Sequence, residues 1–384
     1  MSASGGDAGS TKKLKDDLKR RQIRLLLTGG GTGGHLFPAV AAAQEFQRQI
    51  PGTAVLFVGT KRKVDTKSLS SYCFPSENIR CYGLKGKNPL ELLRAITYLP
   101  VSFFQAHRII RRFKPDLVLG VGGYVTGPVM VAAKSLGIPT VIHEQNSVPG
   151  LANRKLGGIV DRICLSLPGS EARFPAGKIV YTGNPVRKEI LALAENRPPR
   201  LEHKKTLAIL GGSQGAQAVN RLVAEALPTL PEGVRQRLRV IHQTGEHDAA
   251  YVREQYEKSG MDALVQPFFT DMAGVYGQAD LLVSRAGATT LSEIAVVGSP
   301  AILIPYPFAA DNHQEINGNY YVNGGGAIQF RQSELSVAAL AGEIAGLIQD
   351  EQKLTAMGNA MKKLSFPDAA AKIVACCQLV LKER

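Results

Sequence analysis

The 384-residue chain has no tryptophan, and only 6% of its residues are aromatic. Single-strand nucleic-acid sites are built from aromatic platforms set among cations. These absences, with no recognisable nucleic-acid motif either, count against a nucleic-acid binder. Its five cysteines, Cys73, Cys81, Cys164, Cys376 and Cys377, are odd in number and show neither CxxC nor Cys/His ligand spacing. A disulfide framework and a structural zinc site are therefore not expected. No run approaches the ~18 apolar residues that a membrane-spanning helix needs. Residues 1–22 are polar, carry both signs of charge and lack an apolar h-region, which argues against a secretory signal and for a cytoplasmic protein. Acidic residues are scarce in one half only. Residues 1–186 hold 26 Lys and Arg against 11 Asp and Glu, whereas residues 187–384 hold 20 against 21. A one-sided excess of this kind marks the first half for an anionic partner: nucleic acid, an acidic membrane surface or a phosphorylated substrate.

What is present is a repeating alternation of short apolar runs with longer amphipathic ones. Strands are predicted at Ile23–Thr28, Ala54–Gly59, Asp116–Val121, Pro139–His143 and Asp161–Leu165, with helices near 35–49, 89–113, 126–136 and 149–157. After a polar, proline-rich stretch at 195–205 the order restarts, with strands at Thr206–Leu210, Arg239–Gln243, Ala263–Pro267, Asp280–Ser284 and Ala301–Pro305. Alternating strand and helix predicts parallel sheets covered on both faces, here in two tandem α/β domains. The expected division is a polar tail at 1–22, one domain at 23–186 and a second at 187–365, with the terminal helix 366–384 packing back onto the first. Two such domains would face a cleft, lined by the glycine turns that follow their first strands.

Those turns are Gly29-Gly30-Gly31-Thr32-Gly33-Gly34 and Gly211-Gly212-Ser213-Gln214-Gly215-Ala216. The first matches G-x-G-x-x-G, which allows a dinucleotide site. A NAD site also wants an acid about 20 residues on, but the second strand ends Gly59-Thr60-Lys61-Arg62, leaving at best an NADP-like variant. His35 follows the first turn at the start of a helix, where imidazole is held neutral and suits a general base; capping the helix is an equal alternative. A third turn, Gly120 to Pro128, and the segment His143-Glu144-Gln145-Asn146 also follow strands. Local hydrogen bonding is the better reading for His143 and Glu144, and ligand binding is at least as good for Tyr124 and Asn146. In the second half, Ser284-Arg285-Ala286-Gly287-Ala288-Thr289-Thr290 opens a helix with small residues, and Glu293 lies in that helix's first turns. Glu293 suits either a pair of ribose hydroxyls or the helix dipole. Gln314 and Asn317 share one helical face and suit sugar hydroxyls. Finally, Leu90, Leu93, Ile96, Leu99, Phe103 and Phe104 recur at helical spacing among Lys85, Lys87, Arg94, Arg108, Arg111, Arg112 and Lys114, with Pro100 expected to kink the run. This stripe is either core or an interfacial helix that meets an anionic leaflet.

In combination these motifs, together with Gly183-Asn184-Pro185-Val186-Arg187 and Asp311-Asn312-His313-Gln314, resemble the MurG family of bacterial glycosyltransferases from about Ile23 to the C-terminus. The resemblance implies an α/β fold of the GT-B type, two Rossmann-like doubly wound domains, the first for a lipid acceptor and the second for a sugar nucleotide. It implies inverting transfer of N-acetylglucosamine from UDP-GlcNAc to the 4-hydroxyl of the muramyl sugar of lipid I. The product would be lipid II, for peptidoglycan synthesis, made by a peripheral protein on the cytoplasmic face of the inner membrane. No metal or other cofactor is expected in the site. Implied catalytic and acceptor residues are His35 as base with Thr32, Tyr124 and Asn146. Implied donor residues are Gly33, Arg187 and Ser213 near the diphosphate, Asn220, Phe269 at uracil, Thr290 at phosphate, Glu293 at ribose, and Gln314 and Asn317 at the sugar. Leu90, Leu93, Ile96, Phe103, Arg94 and Arg108 would meet the anionic membrane surface, and wall-synthesis proteins are further candidate partners. The chain departs from the family pattern at Gly318, where alanine is commoner, at His313, where some members have glutamine, and in its long basic N-terminus. A diacylglycerol glycosyltransferase, with the same donor logic, and an NADP-dependent oxidoreductase are the rival readings.

Overall fold

A computed structural model describes residues 22–30, 33–60, 72–83, 88–199, 203–212 and 215–383. Residues 1–21 of the predicted tail, Gly31, Thr32, Lys61, Arg62, Lys85, Lys87, Ser213 and Gln214 lie outside them. The chain divides into two compact units. The first comprises the described residues up to Gln145, Pro149–Pro185 and those from Asp368 onward, and the second comprises Asn146–Val148 and Val186–Pro367.

The first unit is built on seven parallel strands: β1 (Arg24–Thr28), β2 (Ala54–Gly59), β3 (Ser76–Asn78), β4 (Leu117–Gly120), β5 (Thr140–Glu144), β6 (Arg162–Leu165) and β7 (Ile179–Tyr181). They lie in the order β3-β2-β1-β4-β5-β6-β7. The run Leu25-Leu26-Leu27 of β1 is fully buried although its side chains point alternately to opposite faces, as a strand covered on both sides requires. On one face Leu25 and Leu27 pack with Leu36, Val40 and Phe46 of helix Gly33–Gln49 and with Ile373, Val374 and Cys377 of the terminal helix Ala369–Lys382. On the other, Leu26 packs with Ile109 and Ile110 of helix Pro89–Phe113 and with Val129 and Met130 of helix Thr126–Ser135. Burying each such side chain is worth about 1.5–3 kcal/mol.

The second unit repeats the scheme with six parallel strands, β8 (Lys205–Leu210), β9 (Leu238–Gln243), β10 (Asp262–Gln266), β11 (Leu281–Ser284), β12 (Ala301–Leu303) and β13 (Ala327–Gln329). Their order is β10-β9-β8-β11-β12-β13. In both sheets the winding direction reverses beside the first strand, between β1 and β4 and between β8 and β11. Ligands of doubly wound sheets bind at the carboxyl ends of the strands flanking this point. Each unit therefore brings its own glycine turn and the loop of the adjoining strand to one place. Ten of the thirteen strands coincide with predicted runs to within two residues. The other three, β3, β7 and β13, are three-residue edge strands.

Candidate functional site

In the first unit the turn after β1 and the turn after β4 interlock. Gly122 and Gly123 have positive φ, and a Cβ on Gly123 would sit 2.6 Å from the Gly30 carbonyl. Only glycine allows the two backbones to approach this closely. The consequence is that the Val121 carbonyl reaches His35, whose Nδ1 lies 3.0 Å from it. A carbonyl oxygen only accepts, so Nδ1 carries a proton, and in the neutral ring the lone pair lies on Nε2. Gln145 Nε2 donates to the same oxygen at 2.6 Å and steadies it. His35 is half-buried on the first turn of helix Gly33–Gln49, and Gly33 is that helix's first residue.

Around this turn, His143 is fully buried, with Nε2 3.1 Å from the Gly183 carbonyl and 2.8 Å from Ser166 Oγ, and burial lowers its pKa to about 4. It stays neutral and structural. Buried Glu144 accepts from Gly150 N–H and Asn153 Nδ2, both at 3.0 Å. Local hydrogen bonds thus engage Nε2 of His143 and Oε2 of Glu144. Tyr124 is half-buried and packs on the core of its unit, while its backbone carbonyl accepts from Cys81 Sγ at 3.5 Å. Thr32 falls outside the described residues.

In the second unit, Arg187 and Glu293 form a buried ion pair. Arg187 Nε and Nη2 converge on Glu293 Oε1 at 3.0 and 2.9 Å, and the Tyr276 hydroxyl donates to Oε2 at 3.0 Å. Burial pushes the Glu293 pKa up against the pull of Arg187 and Tyr276. Both oxygens expected at ribose are therefore engaged by protein groups here. Helix Ala288–Val297 starts at Gly287 with no side-chain cap, so its first N–H groups and its dipole suit an anion. Thr290 stands half-buried in its first turn.

Four donor-side expectations take a different form in the structure. Asn220 is fully buried, and its amide is spent on Thr244 O (2.8 Å), Asp248 Oδ2 (2.7 Å) and His242 Nε2 (3.1 Å), so it has no polar atom for a ligand. Phe269 is buried and its N–H donates to Gln243 Oε1 at 3.1 Å, whereas neighbouring Phe268 is 51% exposed. Of the two rings, the exposed one is that of Phe268. Asn317 is fully buried, accepting from Ser147 N–H at 2.9 Å and donating to Asn146 Oδ1 at 3.0 Å within the same unit. Asn317 Nδ2 and Asn146 Oδ1 are thus spent on each other. Gln314 is half-buried with Oε1 accepting from Tyr306 N–H at 2.9 Å. Ser213 lies outside the described residues. Sequence reasoning missed Gln243, which is buried and ties the Gly212 carbonyl (3.4 Å) to the Phe269 amide; its place at the end of β9 was the available signal.

Helix Pro89–Phe113 begins at Asn88, whose side chain accepts from Glu91 N–H at 2.8 Å, and it runs unbroken through Pro100. Leu90 (80%), Leu93 (59%), Ile96 and Phe104 (67%) are exposed, as are Arg94 and Arg108. Phe103 instead turns toward the core, stacked on His107. At about 100° per residue, Phe104 falls almost in line with Leu93 while Phe103 lies on the flank. The Arg94 guanidinium covers the rings of Tyr82 and Tyr98 at 5.1 and 6.0 Å, cation–π contacts at the base of this patch. Among the described residues, no helix is long and apolar enough to cross a membrane, and no three His, Cys, Asp or Glu side chains gather as a metal site.

Comparison with known proteins fits this architecture. Residues 25–165 match the glycosyltransferase family 28 N-terminal domain and residues 206–373 its C-terminal domain. A protein of Desulfotalea psychrophila named UDP-N-acetylglucosamine–N-acetylmuramyl-(pentapeptide) pyrophosphoryl-undecaprenol N-acetylglucosamine transferase is 55% identical over 94% of this chain and 98% of its own length. A protein of the same name from Geobacter sp. strain M21 is 42% identical over 94% and 97%. The crystal structure of Acinetobacter baumannii MurG superposes with a TM-score of 0.72 at 32% identity, covering 93% of this chain and 99% of that one. The oxidoreductase and nucleic-acid readings therefore give way: with two doubly wound units, a family match to each and relatives alike along nearly their whole length, the chain belongs to glycosyltransferase family 28, among its MurG members.

Proposed function

We propose that the chain transfers N-acetylglucosamine from UDP-GlcNAc to the 4-hydroxyl of the muramyl sugar of lipid I, with inversion, giving lipid II in peptidoglycan synthesis. The observation that carries the reading is the His35 hydrogen bond to Val121 O, which in the neutral ring puts the lone pair on Nε2, beside Gly122 and Gly123. The names and full-length likeness of the relatives support the substrates. In this reading Nε2 takes the proton of the acceptor hydroxyl as its oxygen attacks the anomeric carbon. The bond from that carbon to the UDP oxygen breaks, and the electron pair leaves with UDP. The uncapped start of helix Ala288–Val297 receives the departing diphosphate charge, as preorganised N–H groups do for developing anions, so that no metal need supply it. Phe268 offers its face to the uracil, and Arg187, Glu293 and Gln314 serve the rest of the donor.

The same reading places the protein peripherally on the anionic cytoplasmic leaflet through Leu90, Leu93, Ile96 and Phe104, with Arg94 and Arg108 at the headgroups. It gives the basic excess of the first half a partner in the lipid-linked pyrophosphate and the membrane around it. The test is to incubate the purified protein with radiolabelled UDP-GlcNAc and either lipid I or diacylglycerol. Label should enter lipid II only. Transfer to diacylglycerol, or none to lipid I, would overturn the assignment.

A further inference from the structure

The segment His242-Gln243-Thr244-Gly245 has no role in the reaction just described, yet it lies against the second glycine turn. Its hydrogen bonds fix their own direction. Asn220 Nδ2 donates to the Thr244 carbonyl and to Asp248 Oδ2, so Asn220 Oδ1 is the acceptor facing His242 Nε2. His242 Nε2 therefore carries the imidazole proton, and Nδ1 accepts from the Tyr256 hydroxyl at 2.9 Å. Protons run one way, from Tyr256 through His242 and Asn220 to the Thr244 carbonyl. Both ring nitrogens are satisfied in a fully buried site, and burial lowers the His242 pKa to about 3, so the imidazole stays neutral.

The far end of this chain supports the glycine turn. A Cβ on Gly215, which has φ +77°, would lie 2.5 Å from Thr244 O. Gly212 is held from the same segment by Gln243 Nε2, whose side-chain oxygen also fixes the Phe269 amide. A shift of Thr244 O would move Gly215 with it, because no side chain stands between them to absorb it.

We propose that His242 is a positioning residue of the sugar-nucleotide site, acting through Asn220 and Thr244 O on Gly215 without touching substrate. The inference rests on the second unit being the donor unit. It predicts a defect confined to the donor, which a general loss of packing would not produce.

The test uses the full chain. His242→Phe keeps the ring shape and removes both hydrogen bonds, whereas His242→Gln keeps a donor at the Nε2 position. Losing one well-made buried hydrogen bond corresponds to about a tenfold change. His242→Phe should therefore raise the UDP-GlcNAc KM and the calorimetric Kd for UDP by about tenfold, with kcat and the lipid I KM each within about twofold. His242→Gln should recover most of the loss. If His242→Phe does not fold, Tyr256→Phe, which removes only the hydroxyl feeding Nδ1, should show the same donor-only pattern at about two- to threefold. Donor KM and UDP Kd within twofold of wild type, an equal rise in both substrates' KM, or no recovery with glutamine overturns the proposal. Wild-type protein that binds no UDP takes the donor reading down with it, whereas wild-type binding matched by unaltered variant binding removes His242 alone.

Discussion

Removing the guanidinium of Arg187 should destabilise the second unit in a strongly pH-dependent way. The pair it makes with Glu293 is buried, with side chains 8% and 5% exposed, so little solvent screening discounts it. Arg187→Met fills much of the volume but leaves Glu293 with the Tyr276 hydroxyl as the hydrogen bond to its other oxygen. Breaking a buried pair from one side costs about 3–5 kcal/mol. Glu293 already sits above the ordinary glutamate pKa of 4.5 because burial outweighs Arg187, and without Arg187 it rises further. A carboxyl whose folded pKa exceeds its unfolded one contributes stability below the unfolded value and loses it as pH climbs through the folded one. The penalty of Arg187→Met is therefore smallest at and below about pH 4.5 and reaches about 3–5 kcal/mol by pH 8, each pKa unit being worth about 1.4 kcal/mol. With no tryptophan and two units, a single optical transition would mix events. Hydrogen exchange of peptides covering Met272–Gln278 and Ala288–Val297, measured at pH 5 and pH 8, isolates the response. Adding Glu293→Gln should restore most of the protection, since no charge is then stranded. Equal penalties at the two pH values, or a loss below about 1 kcal/mol at pH 8, would refute the reasoning.

Three further outcomes follow from the same geometry. His35→Ala should lower kcat by about 10²–10⁴-fold while calorimetric UDP-GlcNAc affinity stays within a few fold, and near-normal turnover would remove His35 as base. Phe268→Ala should raise the Kd for UDP with little change in melting temperature; Phe269→Ala, a buried truncation, should cost about 3–5 kcal/mol of stability, and the reverse pattern would return the uracil contact to Phe269. Replacing Leu93, Ile96 and Phe104 with serine should weaken co-sedimentation with phosphatidylglycerol vesicles without lowering stability, since these side chains are already in water; unchanged vesicle binding would dismiss the docking patch.

The fold was legible where strands are buried on both faces, because continuous apolar runs such as Leu25–Leu27 and Leu281–Val283 admit no solvent-facing alternative. It was not legible at β3, β7 and β13. Ser76-Glu77-Asn78 has no apolar pattern, and pairs with β2 through its backbone at the sheet edge, where side chains do not decide the matter. Pro100 does not end the run: helix Pro89–Phe113 continues through it, packed on its unit's core along Ala106, Ile109 and Ile110. Tertiary burial offsets the backbone hydrogen bond that proline cannot make.

For the candidate site, glycine turns and residue types were legible, because a turn that closes on another backbone tolerates no side chain and advertises itself as glycine. What the sequence hid was which of two polar or aromatic neighbours faces outward. Phe268 and Phe269 are the same residue type one position apart, and it is Phe269, its amide tethered by Gln243, that turns inward. Asn220 and Asn317 looked like ligand amides, but each has its carbonyl and amino groups taken by partners distant in sequence: His242 and Asp248 for the first, Ser147 and Asn146 for the second. An amide's chemistry suits a sugar hydroxyl and a buried carbonyl equally well. Its role is set by whether the fold completes its hydrogen bonds internally, and that information lies in long-range pairing, which spacing along one chain does not carry.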